Sequence, residues 1–179
     1  RTMLFDIDNL CWDEELCALY GVPVQALPQV YMSDGVFGTT DLGGFLGRAV
    51  PICGVLGDSH GALLGQGCFA PGTAKATYGT GSSVMMQTGD ACIESTGGLV
   101  TSLAWGLSGR VNYVLEGNLN YTGAVISWLK KDVGLLRTDA ESEQLARQAH
   151  PGDRTYFVPA FTGLGAPYWD SEATGLLTG

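Results

Sequence analysis

The sequence predicts a globular α/β fold, and three observations support that prediction. The hydrophobic fraction of 45% is high enough for a buried core. Short strand-like runs alternate with helix-like runs along the 179 residues. Glycine makes up 27 of the 179 residues, about twice the ~7% of an average protein. Because these glycines follow no collagen period, we expect them at turns and where the backbone comes close to another group.

The charge balance excludes several classes of partner. Nine Lys and Arg residues against 18 Asp and Glu residues give a formal net charge of −9. A nucleic-acid or membrane-surface partner would need a basic face, so we expect neither. We also expect no signal peptide and no membrane span, because no apolar run approaches ~20 residues. The five cysteines form no Cys-x-x-Cys pair, which indicates reduced thiols and a cytoplasmic protein.

The first elements are predicted to be short and separated by turns. Helical spacing of apolar residues predicts a helix over residues 11–20, capped by the preceding Asp8 and Asn9. The glycine-rich residues 35–50 predict a turn-laden hairpin or loop. Residues 50–57 form an apolar run ending in glycine, which is typical of a buried strand.

The remaining elements are predicted from turn residues and apolar periodicity. Residues 58–67 predict the first turns of a helix with Asp58 or Ser59 as its N-cap. Residues 73–88 predict two strands joined by a tight turn at Gly79-Thr80-Gly81. The chain then continues with strands over 98–105, 111–116 and 155–160, helices over 119–133 and 139–149, and a glycine- and aromatic-rich loop over 161–170.

Three features could carry chemistry, and each has a simpler structural alternative. Asp58 follows an apolar strand, where α/β proteins place ligands, and could accept a hydroxyl proton or hold Mg²⁺ through water; alternatively it only caps a helix. The glycines of Tyr78–Ser83 could let backbone N–H groups approach phosphate, or could simply form a hairpin turn. Gly123 costs ~1 kcal/mol inside a helix, so either another group packs against it or the helix starts there beside a ligand.

Six segments of the chain form an ordered set of motifs. The segments are RTMLFDI (1–7) with Trp12-Asp13, Gly57-Asp58 with ALLGQ (62–66), TYGTG (77–81), VNYVLEG (111–117), TGAVISWL (122–129) and FVPAFTGLGAPYWD (157–170). Each segment alone is weak, but the ordered set covers nearly the whole chain and is specific. In this order the segments resemble the FGGY family of carbohydrate kinases, and within it the glycerol kinases.

The resemblance implies an α/β, ribonuclease-H-like (actin-like ATPase) fold that is present only in part. Residues 1–55 would be the C-terminal part of the FGGY N-terminal domain, and residues 56–179 the N-terminal part of the C-terminal domain. The implied reaction is ATP-dependent phosphorylation of a hydroxyl of a polyol or sugar, with ATP and Mg²⁺ as cofactors. The chain would be a fragment, inactive alone, of a longer enzyme that could be a homo-oligomer.

The resemblance also implies roles for individual residues. Asp58 would be the catalytic base, would contact the substrate together with Ser59 and Ser83, and could reach a metal ion through water. Four further residues would contact ATP: Thr80, Gly81, Gly123 and Ser127.

This chain departs from the glycerol-kinase pattern at several of those positions. Ser59 and Ser127 stand where glutamine is usual, and Ser83 stands where phenylalanine is usual. Two small hydroxyl side chains at the acceptor site leave room for a larger polyol or a sugar. Kinases of the xylulose, ribulose or gluconate type therefore remain alternatives, as does a non-catalytic module of an actin-like ATPase.

Overall fold

The computed structural model describes residues 2–179, and within them ten strands and four α-helices form. In chain order they are β1 (Phe5–Asp6), β2 (Cys11–Trp12), α1 (Glu14–Leu19), β3 (Gly38–Thr40), β4 (Val50–Ile52), α2 (Asp58–Gly65), β5 (Ala74–Tyr78), β6 (Ser82–Gly89), β7 (Val100–Leu107), β8 (Arg110–Leu119), α3 (Gly123–Lys131), α4 (Asp139–Gln148), β9 (Tyr156–Val158) and β10 (Leu176–Thr178). In these described residues, no helix combines the length and apolar composition needed to span a bilayer.

The strands form one four-stranded sheet and three two-stranded pairs. The larger sheet has the order β5-β6-β8-β7, so two hairpins, β5-β6 and β7-β8, lie side by side. The predicted tight turn at Gly79-Thr80-Gly81 is confirmed, because it joins β5 to β6. Between β7 and β8, Ser108 and Gly109 both adopt positive φ, 51° and 76°, which suits a two-residue hairpin turn. The antiparallel pairs β1-β2, β3-β4 and β9-β10 make up the rest.

The chain divides into two compact units. The first contains the described residues up to Thr73 together with Met86–Glu94 and Thr101–Leu115. The second contains Ala74–Met85, Ser95–Val100 and Glu116–Gly179. Buried side chains of the first unit include Leu4, Cys17, Leu63, Trp105 and Val114, and those of the second include Met85, Leu136 and Ala160.

The predicted helix over residues 11–20 is wrong at its start. Cys11–Trp12 pairs with Phe5–Asp6 as a strand, and the rings of Phe5 and Trp12 pack edge to face at 5.2 Å. The Asp6 carboxylate accepts hydrogen bonds from the N–H groups of both Asp8 and Asn9 at 2.9 Å, which turns the chain into a hairpin. The helix cap is instead Asp13, whose Oδ1 accepts from Leu16 N at 2.9 Å.

The predicted buried strand over residues 50–57 is also wrong in extent and burial. The strand is limited to Val50–Ile52, and its partner is the three-residue β3. Ile52 is 40% exposed, and residues 53–57 form no regular element and are exposed. The predicted hairpin in the glycine-rich stretch is confirmed, but a two-stranded pair of this size provides no second layer to cover an apolar run.

The last third of the chain differs from the prediction at the start of one helix and in one additional strand. The helix expected over 119–133 begins only at Gly123, because β8 continues to Leu119. The helix expected over 139–149 is confirmed as α4, with Thr138 at its N-cap position. The predicted strand near 155–160 is confirmed as β9, whose partner β10 the sequence patterns did not predict.

Candidate active site

Asp58, in the first unit, is the first residue of α2. The N-cap is Gly57, which has an extended backbone (φ −63°, ψ 145°), so the prediction of Asp58 or Ser59 as N-cap is wrong. Oδ1 of Asp58 accepts a hydrogen bond from the N–H group of Ser59 at 2.7 Å. The side chain of Asp58 is exposed and that of Ser59 is half-buried. The carboxylate is therefore held by the helix start and remains accessible to a small molecule.

The Gly79–Gly81 turn, in the second unit, is attached to the start of α3 through its carbonyl groups. The Gly79 carbonyl accepts from Gly123 N at 3.0 Å, and the Thr80 carbonyl accepts from Thr122 N at 3.1 Å and Ala124 N at 3.0 Å. The first N–H groups of a helix have no partner within the helix. Here the turn supplies the acceptors, so the helix start and the turn hold each other in place.

Thr122 and Ser82 add side-chain contacts to the same junction. Oγ1 of Thr122 donates to the Gly79 carbonyl at 3.1 Å and lies 2.9 Å from Oγ of Ser82. The turn, loop and capping hydrogen bonds between backbone groups of residues 2–179 include none donated by the N–H groups of Thr80 or Gly81. Carbonyl groups of this turn thus bind protein, whereas these two N–H groups can serve a ligand.

Close backbone contacts explain the glycines at this junction. A Cβ atom on Gly81 would lie 2.7 Å from the Leu119 carbonyl oxygen, and one on Gly123 would lie 2.6 Å from the Gly79 carbonyl oxygen. Either distance is far inside van der Waals contact. For Gly123 the close-packing alternative is therefore correct, and the helix also starts there.

Ser83 makes a contact that the sequence did not predict. Its Oγ donates a hydrogen bond to Oε1 of Glu116 at 3.0 Å, and Glu116 is only 2% exposed. Glu116 belongs to the VNYVLEG segment but had no predicted role. A glutamate directly after the apolar residues Val114 and Leu115 was the available signal, because carboxylates are rarely buried without a partner.

Ser127 lies on α3 four residues after Gly123, so the two positions share one face of the helix. The next residue, Trp128, anchors α3: its ring stacks on Phe157 at 5.4 Å with an interplanar angle of 14°. Trp128 also contacts Phe161. This aromatic cluster fixes the helix that carries Ser127.

The loop over residues 161–170 packs tightly within the second unit. Nε1 of Trp169 donates to the Gly98 carbonyl at 2.6 Å. A Cβ atom on Gly165 would lie 2.9 Å from the Asn118 carbonyl oxygen, and one on Gly163, where φ is +78°, would lie 2.5 Å from the Asp170 carbonyl oxygen. The glycines let this loop fold on itself and against the end of β8.

Two family models match this chain. The model for the C-terminal domain of the FGGY family of carbohydrate kinases matches residues 74–179, and the model for the N-terminal domain matches residues 1–65. The chain belongs to the FGGY family of carbohydrate kinases. The resemblance drawn from the sequence segments is thereby confirmed.

Curated relatives of this FGGY chain include two glycerol kinases. The one from Carboxydothermus hydrogenoformans is 50% identical over 179 residues, and the one from Haloferax volcanii is 52% identical over 182 residues. Each alignment covers 100% of this chain and 36% of the relative. The chain therefore spans about a third of the length of these relatives.

Solved structures confirm the predicted fold class. Plasmodium falciparum glycerol kinase, crystallised with ADP, matches with a TM-score of 0.86 at 34% identity, over 100% of this chain and 36% of that one. The xylulose kinase of Lactobacillus acidophilus matches with a TM-score of 0.79 at 22% identity, over 99% and 36% respectively, which bears on the fold alone. The chain has part of the ribonuclease-H-like, actin-like ATPase fold.

Proposed function

We propose that this chain is part of a longer kinase that transfers the γ-phosphoryl group of ATP to a hydroxyl of a polyol. The observation that carries the proposal is the Gly79–Gly81 turn, anchored to α3, in a chain about 50% identical to glycerol kinases. The relative crystallised with ADP supports the choice of nucleotide. We further propose that residues 1–55 end the N-terminal domain, that residues 56–179 begin the C-terminal domain, and that the enzyme is cytoplasmic.

Asp58 is the proposed catalytic base. Its exposed carboxylate would accept the proton of the acceptor hydroxyl as that oxygen forms a bond to the γ-phosphorus. The bond between this phosphorus and the β,γ-bridging oxygen breaks, and ADP leaves. Ser59, the next residue, and Ser83 would contact the acceptor and orient its hydroxyl.

Thr80, Gly81, Gly123 and Ser127 are the proposed ATP contacts. The N–H group of Gly123 already donates to the Gly79 carbonyl, so Gly123 would serve by allowing close approach rather than by donating. Phosphate oxygens would be bound by the N–H groups of Thr80 and Gly81 and by the Thr80 hydroxyl. Because the net charge of the chain is −9, it repels the anionic phosphates, and these local donors must offset that repulsion.

Mg²⁺ fits this arrangement as a companion of the nucleotide. In residues 2–179 no group of three or more His, Cys, Asp and Glu side chains could form a metal cage. Mg²⁺ commonly binds phosphates and water with only one or two protein carboxylates, and when bound it neutralises charge on the transferred phosphoryl group. Asp58 is the proposed carboxylate, acting through water.

Replacement of Asp58 by Asn in the full-length protein tests the role of the base. We expect kcat to fall by a factor on the order of 10²–10⁴ with ATP affinity largely kept, because the amide cannot take the hydroxyl proton. The measurement is a coupled assay of ADP release on a panel of polyols and ketoses that includes glycerol. Asp90→Asn, at an exposed loop position, is the matched control and should keep full activity. Near wild-type turnover of Asp58→Asn would contradict the assignment.

A further inference from the structure

We infer that Glu116 is a positioning residue. It accepts the hydrogen bond that the Ser83 hydroxyl donates, so that Ser83 can only accept a hydrogen bond from the substrate. This point of the site therefore selects a substrate hydroxyl over a carbonyl. The inference rests on the proposed function, because it takes Ser83 as part of the acceptor site. It adds a specificity-determining role for a buried carboxylate, and it narrows the substrate class to polyols with a free hydroxyl facing Ser83.

The first step is the commitment of the Ser83 proton. A serine hydroxyl has one proton to donate and two lone pairs that accept. Oγ of Ser83 donates that proton to Oε1 of Glu116 at 3.0 Å. The two lone pairs are what remains for a ligand, and they can accept from a substrate O–H group but cannot pair with a substrate carbonyl oxygen.

The second step is the rigidity of the pair. Glu116 lies on β8 and Ser83 on β6, which are neighbours in the four-stranded sheet. Glu116 is 2% exposed, so water does not compete freely for its carboxylate. A hydrogen bond to a buried charged group is stronger than one between neutral groups at the surface, so the Ser83 proton is held away from the ligand.

The third step separates Ser83 from the adjacent hydroxyl of Ser82. Successive side chains of a strand point to opposite faces. Ser82 lies 2.9 Å from Oγ1 of Thr122 and thus contributes to the junction of the Gly79–Gly81 turn with α3. Ser83 faces Glu116 on the other side of β6. The start of β6 is therefore held from one face, while on its other face the half-buried Ser83 is bonded to Glu116.

The test compares acceptor pairs that differ in one group: xylitol with D-xylulose, ribitol with D-ribulose, and glycerol with dihydroxyacetone. In the full-length protein we measure kcat/KM for each and take the alcohol-to-ketone ratio. Glu116→Gln and Ser83→Ala should each lower this ratio by about three- to tenfold, the size of one hydrogen bond, with KM for ATP unchanged. A glutamine amide can donate to Oγ and so release the Ser83 proton, which lets the site accept a carbonyl.

Two further variants distinguish a positioning role of Glu116 from a purely structural one. Ser83→Thr keeps the hydroxyl and should keep the ratio. The double variant of Ser83→Ala with Glu116→Gln should give the ratio of Ser83→Ala alone, because the two residues act through one bond. A Glu116→Gln enzyme that keeps the wild-type ratio, whether or not its kcat/KM falls on both members of every pair, overturns the inference. A wild-type enzyme that phosphorylates none of these acceptors overturns the proposed function itself.

Discussion

Cys92, in the first unit, lies near the carboxylates of Asp6 and Asp8. Burial, a hydrogen bond with Asp8 and the negative charges of both aspartates raise the pKa of the Cys92 thiol from 9.0 to about 11. Burial also raises the pKa of Tyr113, with smaller contributions from Cys92 and Asp8. The Tyr113 hydroxyl donates to the Ile7 carbonyl at 2.8 Å, a bond that needs the neutral phenol. The fold therefore favours the protonated form of both groups.

This pKa shift predicts a loss of stability in alkali that depends on Cys92. Below pH 9 the thiol is protonated in both the folded and the unfolded chain. Between pH 9 and about 11 the unfolded chain loses the proton first, so the free energy of unfolding falls as pH rises. We expect Cys92→Ala to make urea-unfolding midpoints measured from pH 8 to 11 less dependent on pH. Cys53→Ala, at an exposed cysteine, is the control, and an identical pH slope in all three proteins would contradict the prediction.

At the scale of elements, the Gly79–Gly81 turn and α3 form one structural unit. Carbonyl groups of the turn accept the first N–H groups of the helix, and Thr122 contacts both the turn and Ser82. The helix therefore starts where the turn meets it, four residues later than apolar periodicity suggested. A movement of the turn would therefore also move the start of α3.

Gly123→Ala should disrupt this unit although alanine is the better helix former. Alanine would gain up to ~1 kcal/mol in helix propensity. Its Cβ atom would lie 2.6 Å from the Gly79 carbonyl oxygen, however, so the turn or the helix must shift. We expect a net loss of about 1–3 kcal/mol in the free energy of unfolding, measured in urea. Gly65→Ala, where a Cβ atom has open space in α2, should be neutral or stabilising, and equal behaviour of both variants would refute the steric account.

Elements set by local chemistry were predictable from the sequence, whereas elements set by distant contacts were not. The tight turn at residues 79–81 was predictable from its two glycines between strand-like runs, and Gly109 has the positive φ (76°) that a two-residue hairpin turn needs. The strand β10 was not predicted, because its three residues are specified by pairing with the distant β9, in which Phe157 lies opposite Leu177.

The same distinction applies to the candidate site. The family motifs indicated which residues belong to the proposed site, but not which residues they form hydrogen bonds with. The contact of the turn with α3 joins residues about 43 positions apart, and the bond of Ser83 to Glu116 spans 33 positions. No local pattern encodes such a pairing. The roles of all the predicted site residues stay predictions: Asp58, Ser59, Ser83, Thr80, Gly81, Gly123 and Ser127.

At the scale of the whole molecule, many large apolar side chains remain exposed. In the first unit Phe45 is 85% exposed, and in the second unit Tyr78 and Leu177 are 84% and 69% exposed. The chain spans 36% of the length of its curated glycerol-kinase relatives. We expect the rest of a longer chain to cover some of these side chains, since solvent exposure of large apolar groups is unfavourable.

The 179-residue chain alone should neither phosphorylate a polyol nor bind ATP tightly. Micromolar affinity requires about −8.2 kcal/mol, whereas a neutral hydrogen bond contributes a net ~0.5–1.5 kcal/mol. The N–H groups of Thr80 and Gly81 with one hydroxyl fall well short of that sum, and the net charge of −9 opposes a polyanion. Isothermal titration calorimetry should therefore show no saturable binding up to about 1 mM ATP. The full-length protein, titrated in parallel with Mg²⁺, should bind. Micromolar affinity of the isolated chain would mean that residues 2–179 already hold a complete nucleotide site.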